Sequence, residues 1–177
     1  IMIGAHMDEI SFIVTHIEEG GFIRFHTLGG FDPKTLTAQR VIVHGKEDIM
    51  GCMGCKPIHL MTAAERGKPL AIKDYFIDTG RSKEAVEALV SVGDPITRER
   101  ELIEMGNCVN SKSLDNRLAV YMLFEAFREL KDSPVPYDVY GVFTVQEEIG
   151  IRGASVAAQQ INPHFGFGID ITIAFDV

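Results

Sequence analysis

"YDVYGVFTVQEEIGIRGASVAAQQINPHFGFGIDITI", residues 137–173, is the stretch whose reading decides the fold. Its opening, 137–145, is rich in Val, Tyr and Phe, the composition of a buried strand. "GASVAAQQI" at 153–161 then reads as a helix, and "FGFGIDITI" at 165–173 as a second strand. Strand, helix and strand, each with one buried face, define α/β architecture, most simply a partly parallel sheet. Upstream, "SLDNRLAVYMLFEAFRELKDS" has apolar residues at 114, 118, 122, 123, 127 and 130. That is a helical period, and it stops before Pro134. At the start of the chain, residues 1–5 form a short apolar strand that delivers His6 and Asp8.

The middle of the chain follows a different grammar. "ISFIVTHI" and "GFIRFHTL" flank "EEGG", a hairpin signal in which Gly20 and Gly21 can take the positive φ of the turn. "RVIVHG" and "DIMGCMG" around "KE" form a second. "IKDYFID" is another strand, and a short helix starts at Ser82, whose hydroxyl can cap it. "VGDPIT" closes the section with a turn. Short strands with turn punctuation fit a small β-barrel or sandwich. The expected organisation is a β-rich module, 9–97, inserted into an α/β module made of 1–8 and 98–177. The chain starts inside a strand and stops in an apolar run, so a domain truncated at both ends is expected.

Composition narrows the classes. No apolar run approaches the roughly 20 residues of a membrane span, and no signal-peptide pattern is present, so a cytoplasmic protein is expected. With 25 acidic against 17 basic residues, the net charge of -8 argues against nucleic acid as the main partner and suits a protein that holds cations. Cys52, Cys55 and Cys108 are too few for a disulfide framework, and "CMGC" lacks the second pair that a zinc knuckle needs.

In open α/β sheets, ligands bind beyond the carboxyl ends of strands. Those ends here carry His6 and Asp8, then Glu147 and Glu148, then Asp170, while Asp115 opens the long helix. In an extended "HMD", residues 6 and 8 point to one side, so Asp8 can orient His6. Two adjacent glutamates at the end of a buried strand are costly unless a positive group lies there. In a strand their side chains diverge, so one can hold a metal while the other faces the substrate water. One imidazole among many carboxylates suits Zn²⁺, Co²⁺ or Mn²⁺, and the residues alone point to a metallohydrolase without naming its substrate.

"AHMDEISFIV", "GGFDPKTLTAQRVIVHG", "KPIHL", "FIDTGRSKEA", "VGDPIT", "SLDNRLAVYMLFEAFREL", "TVQEEIGIRGA" and "GIDITIAFD" are collinear over nearly the whole chain. Together they resemble the M42 metallo-aminopeptidases, the family of glutamyl, leucyl and deblocking aminopeptidases and of the tetrahedral TET particles. The resemblance implies a zinc-exopeptidase-type α/β/α catalytic domain with an inserted PDZ-like β-barrel used for dimerisation. It implies a di-metal aminopeptidase that takes short peptides and forms homo-oligomers, as a dimer or a dodecamer, with no nucleic-acid or membrane partner. Two divalent ions, Zn²⁺ or Co²⁺ with Mn²⁺ as a third choice, would be held by His6, Asp115, Glu148 and Asp170, with Asp115 bridging. Asp8 would orient His6, and Glu147 would be the general base for a metal-activated water. The resemblance also implies a further metal-binding histidine beyond this chain, so the ion left to Asp115 and Glu148 is expected to lack a ligand.

His16, His26, His44 and His59 are read as strand or surface residues, while Arg117 and Arg152 stand beside the candidate ligands without an assigned role. Two alternatives remain. Some relatives carry an endoglucanase label, and carboxylate pairs cleave glycosides, but such enzymes need no metal and grip sugars with aromatic platforms, whereas this chain has no Trp. The other is a non-catalytic assembly protein built around the β-module.

Overall fold

The computed structural model describes residues 1–133 and 135–175. In chain order, β1 (Met2–His6) leads to six strands, β2 (Ser11–Ile17), β3 (Ile23–Leu28), β4 (Arg40–His44), β5 (Asp48–Cys55), β6 (Tyr75–Asp78) and β7 (Pro95–Arg98). Two short helices, α1 (Ala63–Arg66) and α2 (Lys83–Glu87), lie among them. Then come β8 (Ile103–Met105), β9 (Cys108–Asn110), α3 (Leu114–Leu130), β10 (Tyr140–Thr144), α4 (Arg152–Ile161) and β11 (Gly166–Gly168). The chain divides into two compact units, 10–102 and 1–9 with 103–177, where the sequence suggested boundaries at 8/9 and 97/98.

The 10–102 unit is a closed barrel in the order β2-β3-β6-β5-β4-β7. Alternation explains which residues fill it: Ile49, Gly51 and Met53 of β5 face inward while Asp48, Met50 and Cys52 face out. In β2 the buried pair Phe12 and Val14 is followed by Ile17, because a bulge between Val14 and His16 shifts the phase by one residue. The core is continuous from Phe12 through Ile23, Leu36, Val41, Ile77 and Ile96, all fully buried. Full burial of one such side chain contributes roughly 1.5–3 kcal/mol. Phe12 meets Phe25 edge-on at 5.1 Å and stacks on Phe31 at 4.3 Å. Gly21 sits at φ +80°, and a Cβ there would lie 2.2 Å from the Arg81 carbonyl oxygen, so the first hairpin turn requires glycine.

α1 owes its start to a capping box in which Glu65 N donates to Thr62 Oγ1 and Thr62 N to the Glu65 carboxylate. Lys56 Nζ donates to both Glu65 oxygens, at 2.8 and 3.0 Å. The Lys56 bonds first, and the Thr62 bonds after them, pull the Glu65 carboxyl down to about 2. A folded-state value below the unfolded one stabilises the fold above about pH 4.5, and that contribution is lost as the pH falls toward 2. Urea denaturation of Glu65→Gln beside the parent should therefore show a stability gap at neutral pH that closes across this window.

The second unit is built on a three-stranded parallel sheet, β10-β1-β11, with β1 in the middle and His6 opposite Thr144 at its end. α3 lays Ala119, Leu123 and Phe127 against Ile3 and Ala5 of β1. The helical period of the sequence puts 118 and 122 on the same face as 123 and 127. Leu118 and Met122 are instead exposed, because this helix is apolar on more than one side and β1 covers only one of them. The strands are shorter than expected, 140–144 and 166–168 instead of 137–145 and 165–173. After β11, Ile169 N still donates to Gly4 O, but Ile171 N turns to its neighbour Asp170 Oδ1. The β8–β9 hairpin, absent from the sequence expectations, turns on Gly106-Asn107, with Gly106 at φ 61°. Among the described residues, no helix is long and apolar enough to cross a membrane.

Candidate metal centre

Three parallel strands bring their carboxyl ends together, and the candidate residues stand there. His6, the last residue of the middle strand, is only 4% exposed. Its Nε2 faces Asp115 Oδ1 at 3.1 Å, Glu147 Oε2 at 3.8 Å and Asp170 Oδ1 at 3.8 Å. Ligand atoms of His6, Asp115 and Asp170 lie within 4.8 Å of one another, as do those of His6, Glu147 and Glu148. Among the described residues these are the groups with metal-ligand spacing, and both contain His6.

Two placements differ from strand geometry. Glu147 and Glu148 do not diverge: β10 ends at Thr144, and both follow Gln146, whose φ is +60°, so the alternation of a strand no longer applies. Asp8 also does more than accompany the imidazole. Its side chain lies 3.5 Å from His6 Nδ1, while its two oxygens accept from Glu147 N and Glu148 N at 3.2 Å each. Asp8 is thus the clamp that holds the two-glutamate turn against the end of β1, and the carbonyl of Asp8 lies 3.2 Å from His6 Nδ1.

The turn is closed from its other side by α4. Ile151 N donates to Glu147 O, Arg152 N to Gln146 O and Gly153 N to Val145 O. A Cβ on Gly153 would meet Val145 O at 2.2 Å, so this close approach requires glycine. Asp115 is likewise held outside helical geometry: it has φ -82° and ψ 105° although it lies in the first turn of α3. The fully buried Asn116 next to it donates to Ile169 O at 2.8 Å and so joins the Asp115 segment to the segment after β11 that presents Asp170. Nothing local in "SLDNR" marks Asn116 for this role, since its partner lies 53 residues further along the chain.

Burial opposes a charge on His6, yet Glu147, Asp115, Asp170 and Asp8 together outweigh it and hold the imidazole above its ordinary value. Glu148 is pushed up, first by burial and then by Asp115, with smaller contributions from Glu147 and Asp8 that the His6 charge partly offsets. Two like charges about 4 Å apart repel by roughly 4 kcal/mol at an effective dielectric near 20. One imidazolium cannot balance five carboxylates, whereas divalent cations can. The donor set of one imidazole nitrogen and several carboxylate oxygens fits Zn²⁺, Co²⁺ or Mn²⁺. Arg117, beside the ligands, donates to Met7 O at 3.4 Å. A cleft of about 500 Å³ runs from His6, Glu147 and Asp170 past Ala154, Ala158 and Phe167, with mostly apolar walls.

The other candidates lie elsewhere. His16, His26 and His59 are exposed, and His44 spans Asp48 and Thr97 on the barrel at 2.8 Å from each. Cys52, Cys55 and Cys108 are free thiols.

A parallel sheet that presents a buried imidazole and clustered carboxylates at its carboxyl ends defines the class of α/β proteins with a candidate metal centre. Within that class the chain belongs to the M42 glutamyl aminopeptidase family, whose profile matches residues 1–177. It is 35% identical over 181 residues to a lysyl aminopeptidase of Pyrococcus furiosus, covering 98% of this chain and 51% of that protein. A TET aminopeptidase from the marine sediment archaeon Thaumarchaeota archaeon SCGC AB-539-E09 superposes with a TM-score of 0.94 at 38% identity, over 99% of this chain and 51% of that one. A Thermotoga maritima structure described as an endoglucanase superposes with a TM-score of 0.75 at 30% identity, over 99% and 50% of the two chains. The chain spans about half the length of the curated relatives it matches.

Proposed function

We propose that the whole protein carrying this chain is a di-metal aminopeptidase that removes the N-terminal residue from short peptides. The observation that carries this reading is the buried His6 ringed by Asp115, Glu147, Glu148 and Asp170 in a chain of the M42 family. His6, Asp115 and Asp170 would hold one ion, and Glu148, with Asp115 shared, the other; Zn²⁺ and Co²⁺ are the ions of choice. When bound, the metals polarise the scissile carbonyl and lower the pKa of water.

The chain's own residues do the rest. Glu147 accepts a proton from the attacking water and returns it to the leaving amine, a role open to it because its backbone is fixed by Asp8 while its carboxylate faces the centre. Asp8 holds Glu147 and Glu148 at one height, and Asn116 keeps the Asp115 and Asp170 segments together. The carboxylates also provide acceptors for the free amino terminus of a peptide. Gly153→Ala should displace the two-glutamate turn and lower kcat by about 10²-fold, the scale of a misplacement near 1 Å, as read by steady-state kinetics.

Homo-oligomerisation belongs to the same proposal. The Pyrococcus horikoshii TET1 peptidase, 34% identical with a TM-score of 0.85, is described as assembling into a tetrahedron or a large octahedral shell. Three free thiols fit a reducing, cytoplasmic setting.

The endoglucanase name of the Thermotoga maritima neighbour is the observation that favours polysaccharide hydrolysis as a second reading. A panel of aminoacyl substrates and a soluble glucan, each offered with and without chelator, tests both. Release of N-terminal residues that stops on chelation and returns with Zn²⁺ or Co²⁺ supports the aminopeptidase. Glucan cleavage that survives chelation would overturn it.

A further inference from the structure

We propose that Glu9 is a positioning residue for the metal centre, acting through Lys112 and Ser113 on Asp115; the proposal rests on the metal-binding reading above. Glu9 spends both carboxylate oxygens on one segment: Lys112 Nζ donates to Oε1 and Ser113 Oγ donates to Oε2, each at 2.5 Å. The contacts span more than a hundred residues of chain, so they do not arise from local geometry. Charge-assisted bonds of this kind are stronger than neutral ones, and Glu9 is mostly shielded from solvent, with a side chain 19% exposed.

What these bonds hold is the approach to Asp115. Ser113 sits at φ 63° and ψ 12°, the left-handed region that a residue with a Cβ avoids, and Asp115 two positions on is non-helical. A segment in this conformation persists only when its surroundings fix it. Its downstream end is fixed by Asn116 on Ile169 O, and its upstream end by Glu9. Between these two ties Asp115 Oδ1 reaches 3.1 Å from His6 Nε2.

His6, Asp8 and Glu9 therefore organise the part of the centre formed by Asp115, Glu147 and Glu148. His6 is the shared ligand, Asp8 grips the turn that carries Glu147 and Glu148, and Glu9 grips the lead into Asp115. Loss of an outer-shell partner typically weakens metal binding by about 10–100-fold, and that is the size of effect assigned to Glu9.

The test is a Co²⁺ titration of the whole protein followed by visible absorption, in a double-mutant cycle of Glu9→Ala against the pair Lys112→Met and Ser113→Ala, with melting of each metal-free variant recorded. The expected result is a loss of cobalt affinity of about 10–100-fold for Glu9→Ala that largely disappears when Lys112 and Ser113 are already replaced. If Glu9→Ala does not fold, Glu9→Gln carries the same cycle, since it keeps the volume and one acceptor oxygen, and a smaller loss with the same non-additivity is expected. Parent-like cobalt affinity in the Glu9 variant, or a loss undiminished in the doubly substituted background, would overturn the positioning role and leave the metal centre standing. Failure of the parent protein to bind Co²⁺ would overturn the metal-binding reading itself, and this proposal with it.

Discussion

Glu147→Gln is expected to lower kcat for release of N-terminal residues by about 10²–10⁴-fold while the protein keeps its metal, the loss typical of removing a general base. The substitution preserves the volume of the side chain and leaves untouched the bond from its backbone N to Asp8, so the turn stays in place. What changes is that an amide cannot take a proton from water. KM should move little, because an interaction made only in the transition state lowers kcat and kcat/KM together. Glu148→Gln provides the contrast. Glu148, whose carboxyl is pushed up by burial and by Asp115, is proposed as a metal ligand, so its replacement should lose metal and activity together. Steady-state kinetics with metal analysis of both variants reads the difference. A Glu147→Gln protein with parent kcat would remove Glu147 from the chemistry.

The second large effect is expected from His6→Ala. His6 belongs to both groups of potential ligands and is the most buried member of either. Without it, the two groups retain Asp115, Glu147, Glu148 and Asp170, and among the described residues no other imidazole belongs to either. The loss of metal affinity should exceed the roughly 10–100-fold that follows loss of an outer-shell partner, and peptide hydrolysis should fall to background. Added Zn²⁺ or Co²⁺ at concentrations that saturate the parent should not restore it. Isothermal titration with Zn²⁺ measures the affinity, and undiminished binding would place the metal elsewhere. Among the described residues, no cysteine belongs to a group with metal-ligand spacing.

How much of this was legible in the sequence depends on the range of the forces involved. The hairpins β2–β3 and β4–β5 are encoded locally, by alternation and turn residues, and they form as read. The parallel relation of β10 and β11 follows from the strand–helix–strand pattern, since parallel strands need a crossover, but the insertion of β1 between them does not. The face of α3 could not be read, because apolar residues surround much of that helix and periodicity does not say which of its sides meets β1. At the site, residue types and strand ends were enough to gather His6, Asp115, Glu147, Glu148 and Asp170. The clamps were not: Asp8 accepting from two backbone N–H groups and Asn116 reaching Ile169 O join residues more than fifty positions apart, and such bonds leave no periodic trace. Gln146 and Ile151, both at positive φ, were also invisible, because the turn they build departs from the residue preferences of left-handed backbone.

The central claim is that the carboxylates around His6 are there to hold divalent cations. Its most direct test is the metal content of the whole protein after equilibration with Zn²⁺ and removal of loosely held ions, measured by mass spectrometry for the parent and His6→Ala in parallel. Retained zinc in the parent and its loss from His6→Ala is the expected result. A parent protein that emerges free of metal, or a variant that keeps as much zinc as the parent, would contradict it.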